Sequence, residues 1–310
     1  MNSCTILIPH VNTPYLLYGA VEQIKKYTKN VDYEIMIADQ SDQDIYEQIN
    51  EKYKNDSLIK LIQLPRIDAG FPIDYAARNS DKEFLCTLDC DAFPIHKNWL
   101  YSTIETIKRF SLSFVGNDSG LSHFEQYKAQ GSFTQINNYF RVSKTSLAKY
   151  LSETAGFCRY QNRSRTGYSY KDVGWKLNHS DNGVVAQWFS DKEKLGDKFN
   201  LVINKNLGMT SEFGIYGMCI DDLVFHMVFG YHADTIADPK KSLGEGFLKL
   251  EEKIKKEGLT DKNIKYLIKN LKPCHPYTSR SITILGESYL LDPKHELFEY
   301  FEKVKAYEDK

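Results

Sequence analysis

The chain has 310 residues, 42% of them hydrophobic and 26% charged, which is the composition of a folded globular protein with a substantial core. Its formal net charge of −1 lacks the basic excess that nucleic-acid-binding domains carry. No stretch approaches the ~20 consecutive apolar residues of a membrane span, and the six cysteines form no CxxC pair. We therefore expect a cytoplasmic protein with reduced thiols that does not bind nucleic acid, and peripheral association with a membrane stays open.

The first part of the chain alternates strand and helix patterns. Apolar runs predict strands at residues 4–8, 34–38, 58–64, 84–88 and 111–115. Helical spacing of apolar residues predicts helices at residues 14–29, 43–54, 74–79 and 98–110. This alternation predicts an α/β fold with a mostly parallel sheet flanked by helices.

The rest of the chain has a different character. The middle is rich in Gly, Ser, Asn and Tyr, with a predicted strand at 138–142 and a predicted helix at 144–151. Lysine-rich amphipathic patterns then predict helices at 242–257, 261–271 and 295–307. We predict one α/β domain over residues 1–235 and a C-terminal helical extension over residues 236–310.

Acidic residues follow three of the first four predicted strands. Ligands of open parallel sheets bind beyond the carboxyl ends of the strands. Asp39 follows the second strand, Asp68 lies after the third, and Asp89 and Asp91 follow the fourth. We expect these carboxylates to converge at one edge of the sheet. His10, at the end of the first strand, is expected to be only a loop residue.

The pattern Asp89-Cys90-Asp91 directly after a buried strand predicts a metal site. On an extended backbone, residues two apart project to the same face, so the two carboxylates form a pair and Cys90 points away. Two close carboxylates repel each other unless a cation or a proton lies between them. Mn²⁺ or Mg²⁺ suits such a pair together with phosphate oxygens. The alternative is an acidic turn or helix cap that merely ends the strand.

Four segments, in this order and spacing, resemble the nucleotide-sugar domain of inverting family 2 glycosyltransferases. They are Thr5–Pro9 with Asn12, Glu34–Asp42, Gly70 with Ala76–Asn79, and Glu83–Asp91 with Pro94 and Trp99-Leu100. The resemblance implies the GT-A nucleotide-diphospho-sugar transferase fold. It also implies that residues 1–115 are the nucleotide-sugar-binding half and residues 116–235 the acceptor-side half.

The resemblance assigns roles to individual residues. The residues that it places against the nucleotide sugar are Pro9, Asn12, Asp39, Arg78 and Asp89. Asp89 and Asp91 are implied to bind the divalent cation, and His226, at the end of a late strand, to approach the metal or the diphosphate. His232 is close enough in sequence to compete for that last role.

The resemblance also implies a general base on the acceptor side. Residues 168–177 resemble the family segment that carries this base, and Asp172 matches it, although Lys171 and Gly174 replace the flanking acids. Asp172 could equally be a helix cap. The implied function is inverting, hexosyltransferase-like transfer from a nucleoside-diphosphate sugar to an unknown glycan, lipid-linked or protein acceptor. The alternatives are a catalytically weakened nucleotide-sugar-binding protein and a nucleotidyltransferase, although the first strand is not followed by a glycine-rich phosphate loop.

Overall fold

A computed structural model of the chain describes residues 1–118, 136–158, 164–165, 200–202, 206–210, 216–228, 245–275, 281–284, 287–290 and 294–308. The strands are β1 Asn2–His10, β2 Val31–Asp39, β3 Ile59–Gln63, β4 Phe84–Leu88, β5 Ala92–Pro94, β6 Phe114–Asp118, β7 Ile136–Lys144, β8 Asn200–Val202, β9 Asn206–Thr210, β10 Tyr216–Ile220, β11 Val224–Val228, β12 Leu271–His275, β13 Ser281–Ile284 and β14 Glu287–Leu290. The helices are α1 Pro14–Tyr27, α2 Gln43–Tyr53, α3 Gly70–Asn79, α4 Trp99–Phe110, α5 Thr145–Thr154, α6 Glu245–Glu257, α7 Asp261–Lys269 and α8 Glu296–Lys305.

The larger sheet has nine strands in the order β14-β13-β8-β6-β7-β4-β1-β2-β3. The four strands β4, β1, β2 and β3 are mutually parallel neighbours. Pairing with β4 and β6 makes β7 antiparallel to them, and β13 is antiparallel to both of its neighbours. The other strands all run in one direction, so the sheet is mostly parallel, as the sequence predicts.

Both faces of the larger sheet are covered, which explains why its strands are continuously apolar. Alternate residues of a strand face opposite sides: Ile6 and Ile8 pack in one cluster with α1, α2, α4 and α8. Leu7, between them, packs in a second cluster with α3 and α5. The helices predicted in this region are therefore observed on the two faces of the sheet.

A second sheet is antiparallel throughout, with the order β12-β9-β10-β11-β5. Its edge strand β5 follows β4 after three residues and pairs with β11, so that the chain passes from one sheet to the other at this point. β5 has only three residues, which are too few to show a period, so it could not be predicted from the sequence. This crossover brings the end of β4 next to β11.

The C-terminal region contributes more than the predicted helices. Helices α6, α7 and α8 form as expected, and α6 and α7 pack with α1 and the second sheet. However, β12 joins the second sheet while β13 and β14 complete one edge of the larger sheet. The helical description of residues 236–310 was therefore incomplete, because strands of four or five residues become recognisable only with their partners. Helix α7 also ends at Lys269, and Leu271 begins β12.

Two further expectations can be compared with the described residues. Cys4, Cys86, Cys90, Cys158 and Cys219 are buried and form no disulfide among the described residues. Within the described ranges, no helix has the length and apolar character needed to cross a membrane.

Candidate active site

Asp89, Cys90 and Asp91 lie in the turn that connects the two sheets. The N–H of Ala92 donates to the carbonyl of Asp89 at 3.0 Å, which closes a β-turn over these residues. The extended backbone predicted for Asp-x-Asp is thus wrong, because the chain has to turn here to start β5. Cys90 nevertheless lies outside the acidic pair, and its Sγ is 3.5 Å from Oγ1 of Thr13 at the start of α1.

The turn and β11 together form a cluster of three potential metal ligands. One ligand atom each of Asp89, Asp91 and His226 lies within 4.8 Å of the others. His226 is the register partner of Ala92, and its Nε2 is 3.2 Å from Oδ1 of Asp91. The pairing of β5 with β11 therefore brings together the three residues that the sequence analysis assigned to the metal.

The chemistry of this cluster fits a divalent cation. Carboxylate oxygens suit Mg²⁺ and Mn²⁺, and an imidazole nitrogen favours a transition ion, so the set suits Mn²⁺ better than Mg²⁺. Burial and the neighbouring carboxylate of Asp91 raise the pKa of Asp89 to about 7. A cation between the two carboxylates would offset both effects.

The loops after β1 and β2 are tied together at the same edge of the sheet. Asn12 adopts a left-handed backbone conformation with φ 50°, which asparagine tolerates better than most residues. Its Nδ2 donates to Oδ2 of Asp42, and the N–H of Asp42 donates back to Oδ1 of Asn12, both at 2.9 Å. The Asn12 side chain therefore fixes the shape of the edge. Pro9 lies in β1, opposite Ala38.

His10 and Asp39 form a buried pair across β1 and β2. They are register partners, and Nδ1 of His10 is 2.6 Å from Oδ1 of Asp39. Oγ of Ser41 donates to the same Oδ1 at 2.6 Å, whereas Oδ2 of Asp39 is buried and has no hydrogen-bond partner within the part of the chain that the structure describes. The expectation that His10 is only a loop residue is wrong. Its position at the end of the first strand was the available signal.

The start of α1 is capped by a residue from the C-terminal region. Thr13 provides no side-chain cap. The carboxylate of Glu251, on α6, accepts from the N–H groups of Tyr15 at 3.0 Å and Leu16 at 3.2 Å. Burial raises the pKa of Glu251 to about 7, although these two N–H donors act in the opposite direction. Glu251 could not be identified from the sequence, because this contact spans more than 230 residues.

Arg78 is not brought to the metal cluster. It is exposed at the end of α3, and its guanidinium donates to the carbonyl of Ser152 at 3.0 Å. Arg165 donates to the same carbonyl at 3.1 Å. Arg78 therefore satisfies a free carbonyl near the C-terminal end of α5.

Gly70 and Asp74 hold the segment that follows α5. A Cβ on Gly70 would lie 2.0 Å from the carbonyl oxygen of Phe157, so only glycine fits this approach. The buried carboxylate of Asp74 accepts from the N–H groups of Phe157 and Cys158, at 2.9 Å each. Asp172 and His232 lie outside the described residues.

Comparison with known proteins decides the family. The model of glycosyl transferase family 2 matches residues 5–165, more than half of the chain. The chain belongs to glycosyl transferase family 2. The α/β fold and mostly parallel sheet agree with the GT-A fold that this membership implies. Asp39, Asp89 and Asp91 lie inside the matched residues, whereas His226 and Glu251 lie beyond them.

Several solved structures resemble this family 2 chain at low sequence identity. TarS 1-349 of S. aureus is 15% identical, with a TM-score of 0.40 over 61% of this chain and 55% of TarS 1-349. The galactosyltransferase LgtC, in complex with donor and acceptor sugar analogs, is 10% identical, with a TM-score of 0.44 over 60% of this chain and 70% of LgtC. The mannosyltransferase PcManGT from Pyrobaculum calidifontis, in complex with GDP-Man and Mn²⁺, is 14% identical, with a TM-score of 0.42 over 61% of this chain and 52% of PcManGT.

The match to two of these structures thus spans only about half of their length. No curated protein matches the chain.

Proposed function

We propose that this chain transfers a hexosyl group from a nucleoside-diphosphate sugar to an acceptor hydroxyl, with inversion and with a divalent cation. The observation that carries the proposal is the cluster of Asp89, Asp91 and His226 at the edge of the sheet where ligands of parallel sheets bind. Family membership, shown over residues 5–165, favours this reaction over nucleotidyl transfer.

Each part of the site has a distinct task in this proposal. Asp89, Asp91 and His226 would hold Mn²⁺ or Mg²⁺, which when bound neutralises the charge that grows on the leaving diphosphate. Asp39 contacts the nucleoside, and Asn12 with Pro9 shapes the loop beneath it. Arg78 acts indirectly, by supporting α5.

Asp172 is the residue proposed to activate the acceptor hydroxyl. As general base, its carboxylate accepts the proton of the attacking hydroxyl, which is typically worth about 10²–10⁴-fold in rate. One base on the acceptor side gives a single displacement and hence inversion. Asp172→Asn should lower kcat by that range and leave donor affinity nearly unchanged. Full activity of a well-folded variant would assign the base to another acid, and Asp181, Asp221 and Asp222 would be tested next.

A donor-turnover assay tests the proposal. The protein is incubated with a panel of nucleotide sugars and Mn²⁺, and release of the nucleoside diphosphate is followed with and without a chelator. We expect release that requires the metal and that falls strongly in Asp91→Asn. Cys90→Ser is the matched control, because Cys90 lies in the same turn but outside the cluster, and it should keep most activity. Equal turnover of Asp91→Asn and the parent protein would refute the metal assignment.

The same assay distinguishes the enzyme from a protein that binds a nucleotide sugar without turnover. Lys171 and Gly174, which replace the acids flanking Asp172, favour this alternative. That protein would bind a donor with Mn²⁺ but release no product over hours. The acceptor, a cytoplasmic location and peripheral membrane association stay predictions. An acceptor panel and fractionation of cells that produce the protein would test them.

A further inference from the structure

The hydrogen bonds of His10 determine where its ring carries a proton. The N–H of Thr13 donates to Nε2 of His10 at 3.1 Å. Because a backbone N–H can only donate, Nε2 has to be the acceptor, and the proton of the ring is on Nδ1. Nδ1–H then donates to Oδ1 of Asp39 at 2.6 Å. The start of α1 thus selects one tautomer of His10.

These hydrogen bonds engage only one of the two oxygens of the Asp39 carboxylate. Its Oδ1 accepts from both His10 and Ser41, and the hydroxyl of Ser41 is itself fixed by the N–H of Asn12 at 2.8 Å. Its Oδ2 is buried and has no partner among the described residues. Since buried acceptors in native proteins are nearly always paired, an open Oδ2 indicates a ligand that donates to it.

We propose that His10 is a positioning residue that fixes the Asp39 carboxylate so that Oδ2 accepts a hydrogen bond from the nucleoside. The partner is an uncharged donor group, either a ribose hydroxyl or a base N–H. His10 does not contact the nucleoside and acts only through Asp39. This inference rests on the proposed nucleotide-sugar function and extends it to a residue without a role in the metal cluster.

The experiment measures the Kd of nucleoside diphosphates in the presence of Mn²⁺ for a set of variants. His10→Phe keeps a buried ring but removes both nitrogens. We expect it to weaken nucleotide binding about tenfold, because the hydrogen bond from His10 that restrains the Asp39 carboxylate is lost. His10→Asn restores an N–H near the position of Nδ1 and should bind within about threefold of the parent protein. His295→Asn is the control, because His295 caps α8 far along the chain and asparagine caps helices well.

A double-mutant cycle tests whether His10 acts through Asp39. In an Asp39→Ala background, His10→Phe should cause no further loss of affinity, because its target is gone. A merely structural role predicts the same fold-loss in both backgrounds and no rescue by His10→Asn. That result would overturn the inference.

Ligand analogues identify the donor group in the unaltered protein and do not depend on any variant folding. UDP is compared with CDP, GDP with ADP, and each with its 2′-deoxy and 3′-deoxy forms. Weaker binding of the base-exchanged nucleotide identifies a base N–H as the partner, and weaker binding of a deoxy nucleotide identifies that hydroxyl. In Asp39→Ala the same analogue should show no loss of affinity. Equal affinity for every analogue would refute the inference while leaving the metal-dependent function intact. Failure of the parent protein to bind any nucleoside diphosphate or nucleotide sugar would instead refute the proposed function together with the inference.

Discussion

At the scale of single residues, the charge state of Asp89 should control metal binding. Its pKa is raised to about 7 by burial and by Asp91, so the carboxyl is protonated below that pH and ionised above it. Because a metal binds only the ionised form, acidification below pH 7 should weaken Mn²⁺ binding by up to about tenfold per pH unit. Calorimetric titrations of the parent protein between pH 5.5 and 8 would measure this dependence.

The matched variant for that series is Asp89→Asn. It should bind Mn²⁺ more weakly at every pH and show a shallower dependence on pH, because one competing proton is gone. An unchanged pH dependence in Asp89→Asn would show that another group controls the site.

Residues of the site differ in how far the sequence could predict them. Asp89 and Asp91 could be predicted because they directly follow an apolar strand. His226 needed the family resemblance, since only the pairing of β11 with β5 brings it to the aspartates. The tautomer of His10 and the cap from Glu251 could not be predicted, because each depends on contacts with other segments of the chain.

At the scale of secondary-structure elements, the contact between α3 and the segment after α5 depends on Gly70. A methyl group there would meet the backbone of Phe157 at 2.0 Å, and a backbone atom cannot rotate away. Gly70→Ala should therefore lower the free energy of unfolding by about 1–3 kcal/mol. Denaturant unfolding monitored by circular dichroism would measure the loss.

Gly19→Ala provides the comparison, because the added methyl meets mainly the Leu259 side chain, and alanine favours the helix that contains it. It should cost less than Gly70→Ala. Equal losses in the free energy of unfolding would show that the close approach of Phe157 to α3 does not require glycine at position 70.

The cap that α6 provides for α1 should depend on pH. The pKa of Glu251 is raised from 4.5 to about 7, so the folded protein holds this proton more tightly than the unfolded chain does. Its contribution to stability is full below about pH 4.5 and is lost as the pH rises through 7. Glu251→Gln stays neutral and keeps one acceptor, so it should exceed the parent protein in stability at pH 8 by about 1–3 kcal/mol.

Unfolding curves at pH 4 and pH 8 would measure this difference, which should nearly vanish at the lower pH. A variant that is less stable than the parent protein at pH 8 would show that the two hydrogen bonds to the charged carboxylate outweigh its burial.

The elements themselves were predicted well wherever apolar periodicity was long. β4 has the predicted bounds, and α2 and α4 differ from theirs by a single residue. α3 begins at Gly70, four residues before the prediction, because its first turn is fixed by Asp68, whose Oδ1 accepts from Gly70 and Phe71. β5 and β12–β14 were missed, since strands of this length are defined by their partners in the sheet.

At the scale of the whole molecule, the C-terminal region shares a hydrophobic core with the first helix of the chain. Ile254, Leu259, Ile264 and Leu267 pack with residues of α1, β5 and β11 in one buried cluster. Burial of four such side chains contributes about 6–12 kcal/mol, which is comparable to the total stability of a typical domain, about 5–15 kcal/mol. A chain cut after residue 235 would also lose α8, β13 and β14.

We therefore expect that residues 1–235 alone do not form a stable protein, although the sequence predicted this range as a domain. The fragment should show no cooperative thermal transition and no binding of nucleoside diphosphate with Mn²⁺. Removal of residues 309–310 is the control, because it leaves α8 and the bonds from Asn98 to the carbonyls of Lys305 and Tyr307 intact. A 1–235 fragment that melts cooperatively and binds the nucleotide would show that the site needs neither Glu251 nor the apolar contacts of α6 and α7.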